Sequence, residues 1–222
     1  MLGDQILSTL ERLRWPSPAA ILIRHSERPH ISSAIGTNDV PLTAAGVEAA
    51  LHLGFTLAQH HKRIRLFHSP VLRCAQTAEH IQAGAARAGV AAHEMGHRNC
   101  LGGSCLANPA VALRLADQLG QNFVRTWFDG GIDPAIMKPL RDSLTEHIAY
   151  LLSELLNAEP ATLDVHITHD WNVMLFREGL FGVRHDHAGW PDFLEGIVLQ
   201  HADDHSVVSY RDSDTKQTCS RK

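Results

Sequence analysis

The stretch ILIRHSERP, residues 21–29, decides the fold. Ile21, Leu22 and Ile23 are a short apolar run of the kind that forms a buried strand. Arg24, His25, Glu27 and Arg28 crowd in directly behind it. Two arginines around a histidine repel one another, and burying them costs several kcal/mol unless something neutralises them. The segment is therefore either a solvated loop or a place where an anion belongs.

Outward from this point the chain alternates between strand and helix patterns. Upstream, Ile6, Leu7, Leu10 and Leu13 recur at helical spacing, and Trp15-Pro16-Ser17-Pro18 ends that helix. Downstream, Pro29 to Asp39 is loop-like. Thr43 is placed to cap a helix running to about residue 60. Ile64 to Phe67 predicts a second strand. His68-Ser69-Pro70 follows, with Ser69 as the expected N-cap and Pro70 as the first residue of a helix to about Ala88. Residues 90–106 read as irregular. A largely helical insertion is expected at approximately 107–156, broken near Asp129-Gly130-Gly131 and Pro134. Leu163, Val165 and Ile167 alternate as a third strand that ends in Thr168-His169-Asp170, with a helix to about Glu178. Ile197 to Leu199 and Val207 to Tyr210 suggest a closing hairpin around Asp203-Asp204, and the polar tail after Asp212 is expected to be loose. The order predicts an α/β fold in a single domain, residues 1–222.

Composition narrows the function. The chain has 222 residues, 44% hydrophobic and 20% charged, with a net charge of −4 when histidine is neutral. That is ordinary for a globular protein and argues against a nucleic-acid partner, whose backbone calls for a basic field. The four cysteines form no CxxC pair and point to a reducing, cytoplasmic setting. The N-terminal residues do not read as a signal peptide, and no apolar run is long enough to span a membrane. Sixteen histidines are present, but neither their number nor the His185-Asp186-His187 cluster makes a metal-ligand pattern. No metal and no cofactor is expected. Trp127, Phe128 and Trp171 read as packing residues, with Trp171 close to the third strand end.

Three strands thus end in a polar group: Arg24-His25, His68-Ser69 and His169-Asp170. Ligands of open α/β sheets gather beyond the carboxyl ends of the strands, so these groups converge if the strands are neighbours. Arg73 belongs with them. Arginine in the first turn of a helix opposes the helix dipole, and a bound anion removes the objection. Arg24, Arg28 and Arg73 could then form a fork of donors around a phosphate.

These residues resemble a known family. Arg24-His25-Ser26-Glu27-Arg28-Pro29 is similar to the RHG-x-R-x-P signature of the histidine phosphatases, which include the phosphoglycerate mutases and the histidine acid phosphatases. Leu42-Thr43-x-x-Gly46 resembles the family's LTxxG element. Ser69-Pro70-x-x-Arg73-x-x-Gln76-Thr77-Ala78 resembles its SP-x-x-R-x-x-QTA helix start, and His169-Asp170 the His-Asp pair of the acid phosphatase branch. The motifs come in the family order. The resemblance implies three layers, α/β/α, about a mostly parallel central sheet, as in phosphoglycerate mutases.

It also implies roles. His25 matches the nucleophile that becomes phosphohistidine, Arg24, Arg28 and Arg73 match the phosphate-binding arginines, and His169 matches the second histidine that donates to the phosphate. Asp170 matches the proton donor of the acid phosphatase branch. In the mutase-type branch the donor is a glutamate, for which Glu94, with Gly102 downstream, is the candidate here, although Arg98 stands where that branch has its first glycine. Asp170 is favoured, because it directly follows a residue that must touch the phosphate. Ser26 replaces the family glycine and is expected to narrow the approach to His25. Trp190-Pro191-Asp192-Phe193 loosely resembles the acid branch. The implied activity is metal-independent hydrolysis of a small phosphate monoester. Mutase-like transfer, or phosphate binding without turnover, are the alternatives. Specificity is assigned to loops 29–40 and 95–108 and the helices after them, where Lys138, Arg141 and Arg184 are the candidates for favouring an anionic substrate. The oligomeric state is unreadable.

Overall fold

The computed structural model describes residues 1–12, 17–202 and 205–218. Leu13, the helix stop at Trp15-Pro16 and the Asp203-Asp204 turn lie outside them. The apolar run at Ile21–Ile23 is central to the sheet. β1 (Ala19–Arg24) pairs in parallel with β4 (Thr162–Thr168) and antiparallel with β5 (Gly196–Ala202). With β2 (Arg63–His68), β3 (Ala92–His97), β6 (His205–Tyr210) and β7 (Ser213–Thr218), they form one sheet in the order β3-β2-β4-β1-β5-β6-β7. The first four strands are parallel and the last three continue as an antiparallel meander.

β1 is buried at every position, and its side chains divide by pleat. Ala19, Ile21 and Ile23 join one core with Ile64, Leu66, Leu163, Val165 and Ile167. Covering that face are α1 (Asp4–Glu11), α2 (Ala44–His60) and α3 (Leu72–Arg87). Ala20 and Leu22 join the opposite core, which holds Phe67, Ile197 and Leu199. On that face lie α7 (Leu140–Leu156) and α8 (Asp170–Phe181). The architecture is the expected three layers. α2 and α3 approach closely because Gly54 and Gly84 sit at their contact, where a Cβ would run into the backbone carbonyls of Ile81 and Leu51 respectively.

Within the stretch expected to be a helical insertion, α5 (Pro109–Leu119) and α6 (Phe123–Phe128) follow a one-turn helix α4 (Cys100–Gly103). α5 starts at Pro109, behind the Asn108 cap. α7 follows them and buries Leu144, Leu151 and Leu155 against the sheet. A short α9 (His185–Ala188) follows α8.

Three expectations need correction. Residues 90–106 are not wholly irregular, because β3 occupies part of them as an edge strand. Its outward side chains are mostly exposed, so it lacks the apolar alternation that marks a strand. Ser213–Thr218 are not loose, since β7 pairs with β6 through its backbone, and residues 219–222 lie outside the described residues. The helix after Ser69 begins at Leu72 with Val71 at the cap position, so Ser69 is a turn residue.

Candidate active site

The sheet order puts β2, β4 and β1 side by side, and backbone bonds stitch their ends together. The Ser69 amide donates to Ile167 O (3.0 Å) and the His25 amide to Thr168 O (2.9 Å). The polar groups at the three strand ends therefore meet. Arg24, His25, Arg28, Arg73, His169 and Asp170 all line one cavity of about 820 Å³.

His25 is nearly fully buried. Its ring is fixed by two contacts that define the tautomer. Arg73 Nε can only donate and lies 3.0 Å from His25 Nε2, so Nε2 carries the lone pair. Nδ1–H then donates to Ser26 O at 2.8 Å. Burial, then His169, then the Arg73 and Arg24 guanidiniums, hold the His25 pKa well below the usual histidine value, against the opposing Ser26 carbonyl bond. The ring is neutral at neutral pH, and its Nε2 lone pair accepts from Arg73.

His169 shows the same logic. Arg73 Nη2 lies 3.3 Å from His169 Nδ1, so Nε2–H donates to Ser69 Oγ at 2.9 Å. Burial and Arg73 push its pKa down to about 3, with Asp170 opposing them. Its ring packs edge-on to His25, 5.6 Å between centroids.

The arginines are held with their charge unmet. Arg24 donates to Pro191 O (2.7 Å), pairs with Asp170 Oδ2 (3.3 Å) and lies 4.0 Å over the Phe193 ring. Arg73 donates to Thr37 O (2.8 Å) and Arg28 to Pro29 O (2.8 Å). Burial lowers the pKa of Arg73 and Arg28, and Arg24 lowers both further, the mark of like charges crowded out of water. Three guanidiniums face one carboxylate, Asp170. With neutral histidines the floor of the cavity carries two uncompensated positive charges, which a phosphate monoester dianion would cancel.

Asp170 is the first residue of α8, and its Oδ1 accepts from the Trp171 amide at 2.9 Å. Glu94 is not brought to the cavity. It sits on the edge strand opposite Leu66, half-exposed, with its carboxylate 3.1 Å from His68 Nε2. Ser26 does not narrow the approach to His25. Its hydroxyl turns away and donates to Gly46 O (2.7 Å), while its amide donates to Thr77 Oγ1 (3.0 Å). Gly46 has to be glycine here, since a Cβ would strike the Glu27 carbonyl. Thr43 caps α2 as expected and also donates to Glu27 Oε1, tying this loop to the helix.

Sequence reasoning missed Ser69 as the partner of His169, and missed Pro191 and Phe193 as the support of Arg24. The WPDF stretch was the available signal for the latter pair. Lys138 and Arg184, read as candidate substrate contacts, are paired elsewhere, with Glu146 and Asp186. Neither they nor Arg141 line the cavity. Among the described residues no three His, Cys, Asp or Glu side chains cluster as metal ligands, and no helix is long and apolar enough to cross a membrane.

Residues 20–95, which hold the Arg24-His25, Leu42-Thr43 and Ser69-to-Ala78 motifs, match the sequence model of the histidine phosphatase superfamily (branch 1). Over that stretch the chain is similar to the histidine phosphatase superfamily. Its fold is similar to that of other solved structures. For YhfR of Bacillus stearothermophilus the TM-score is 0.59 at 17% identity, covering 84% of this chain and 92% of that one. For a phosphoglycerate mutase from Bacillus anthracis strain Sterne it is 0.54 at 16% identity, covering 92% and 93%. For the mycobacterial glucosyl-3-phosphoglycerate phosphatase in complex with VO3 it is 0.55 at 14% identity, covering 90% and 96%. Likeness at such identities speaks to fold alone. No curated protein sequence matches the chain. The match to branch 1 stands beside a geometry that puts Asp170, and not Glu94, on the cavity.

Proposed function

We propose that this protein is a histidine phosphatase that hydrolyses a phosphate monoester through a phosphohistidine on His25. The observation that carries the reading is the His25 tautomer: a neutral ring whose Nε2 lone pair points at a floor of excess positive charge. The phosphate displaces the Arg73 contact and lies among Arg24, Arg28 and Arg73, which hold its equatorial oxygens as charge spreads in the transition state. His25 Nε2 attacks phosphorus and the ester P–O bond breaks. Asp170 takes up a proton from solvent as the dianion binds beside it and gives that proton to the leaving oxygen. His169, beside the dianion, gains proton affinity and donates to it. Water then attacks the phosphohistidine, Asp170 takes a proton from that water, and inorganic phosphate leaves with His25 neutral again. The electrostatic work falls to arginine and histidine donors, so no metal is called for.

The same reading takes residues 1–222 as one domain, with α5 and α6 inserted over the strand ends, and a cytoplasmic setting in keeping with the free thiols Cys74, Cys100 and Cys105. Rapid quench with a labelled phosphate ester tests the mechanism. Acid-labile, base-stable phosphate on the protein is expected, and it should be absent from His25→Ala. An enzyme that turns over esters with no such intermediate would sink the proposal.

A further inference from the structure

The cavity is much larger than a phosphate. Its 820 Å³ is in the range that encloses a drug-sized ligand. The cationic floor takes up one end. The rest is an arm under loop 30–38 and α4 to α6, and its wall has a different chemistry. Leu106, Leu113 and Trp171 face it above the nearly fully buried Phe123 and Val124, beside the neutral polar Ser32 and Gln121. Phe123 and Trp171 pack together, 5.0 Å between centroids, and Trp171 meets Trp127 edge-on. Beyond the floor, the lining offers few ionisable groups: His30, the buried thiol of Cys105, whose pKa is pushed up to about 12, and Asp117. Asp117 is held as a carboxylate by Ser33 Oγ and the Ala34 amide, both at 2.6 Å.

We infer that the substrate is a phosphate monoester whose alcohol is a large, uncharged, mainly apolar body that fills this arm. This rests on the phosphatase reading and goes further, because it excludes a class of substrate. A second carboxylate or phosphate on the alcohol would leave water for a wall that offers no arginine or lysine and one carboxylate, a costly transfer without a partner. Lys138 and Arg184, the cations that the sequence offered for such a group, are paired at other places. An apolar body gains by leaving water for the same wall, in proportion to the area it covers.

Alkylphosphonates separate the two readings, since their C–P bond is not hydrolysed and binding is read without turnover. Calorimetry on the native protein with ethyl- to octylphosphonate should show Kd falling with chain length, by up to about fourfold per methylene. An ω-carboxylate on the octyl chain should weaken binding at least tenfold. Leu113→Lys puts a cation on the arm and should shrink that penalty severalfold. Affinity independent of chain length, or a carboxylate that binds as tightly as the plain chain, overturns the inference. A penalty unmoved by Leu113→Lys does so too. If the phosphonates behave as expected but no phosphate ester is hydrolysed, the arm stands and the hydrolytic reading fails.

Discussion

The floor and the roof of the cavity are built in different ways. Each floor residue lies within five positions of the end of β1, β2 or β4, strands that are buried where they end, and these three are locked to one another by backbone bonds. Such groups are positioned by the core itself, which makes them suited to chemistry that tolerates little misplacement. The roof is loop 30–38 and short helices, joined by side-chain contacts such as Ser33 to Asp117 at the surface. A roof of this kind can change shape and lining without disturbing the sheet. The difference suggests a division of labour: the floor does the phosphoryl chemistry and the roof selects the alcohol.

If that division is right, the largest effects belong to the floor and fall on the chemical step. His25→Ala removes the attacking nitrogen and should lower kcat by at least ~10⁴-fold, the scale seen when a covalent nucleophile is lost. Steady-state rates with phenyl phosphate read it, and residual activity within tenfold of the native protein would break the comparison at once. Next is Asp170→Asn. General acid catalysis contributes roughly 10²–10⁴-fold where the leaving group needs a proton. Ethyl phosphate turnover should fall on that scale and nitrophenyl phosphate turnover far less. Glu94→Gln should leave the ratio of the two within about twofold, given its place on the edge strand away from the cavity. A ratio that responds to Glu94→Gln and ignores Asp170→Asn would reassign the proton donor.

The same contrast explains what is legible in the sequence. Strand-end charge is a local signal: Arg24-His25 and His169-Asp170 directly follow apolar runs, so the floor can be picked out from the order of residues alone. The α/β class follows from the strand and helix order, and the three layers are implied by the family resemblance. β1, β2, β4 and the β5–β6 hairpin are anticipated, whereas β3 and β7 are not, because they are edge strands made of polar residues and are held by backbone pairing, which leaves no pattern in side chains. The lining of the roof is not legible either. Leu113 and Phe123 sit in helical patterns like those of any packed helix and Leu106 in the connection before α5, and only the path of α4 to α6 over the strand ends puts them on a cavity. Lys138 and Arg184 went the other way. Their charge drew attention, and their partners Glu146 and Asp186 account for it.

The pH profile sharpens the description of the floor with a smaller effect. Burial holds the His25 pKa well below 6.5, so the nucleophile stays deprotonated as pH falls through 6.5. The acid limb of kcat/KM should then follow the second ionisation of the substrate phosphate, near pH ~6. Substrates with a more acidic phosphate should move that limb down. A limb that stays near 6.5 for every ester would mean that His25 itself titrates. Stability has its own slope in this range. His166 stacks on Phe67 and is buried with its pKa lowered to about 3, and His169 is lowered similarly. A group depressed on folding contributes stability above its unfolded pKa that is lost as pH falls toward the folded one. Each should therefore cost about 1.4 kcal/mol per pH unit between roughly pH 6 and 3. Urea melts over that range distinguish this loss from the limb set by the substrate.

The smallest effect tests the roof. Asp117 latches loop 30–38 to α5 through Ser33 and the Ala34 amide, and the same loop reaches down to the floor, where Thr37 O accepts from Arg73 and Asn38 O from the Leu72 amide. The latch is at the surface, and exposed polar contacts are individually weak. Asp117→Ala should therefore loosen the loop without unfolding the sheet. If the loop serves mainly to close the arm over the alcohol, KM for octyl phosphate should rise by roughly two- to fivefold while kcat moves less, because the interaction lost is made equally in the ground and transition states. Asp117→Asn keeps an acceptor for the Ala34 amide and should recover part of the loss. The opposite pattern is equally informative. A fall in kcat of the same size for ethyl and octyl phosphate would mean that the latch acts through Thr37 on the Arg73 guanidinium, and the roof would then be part of the catalytic floor.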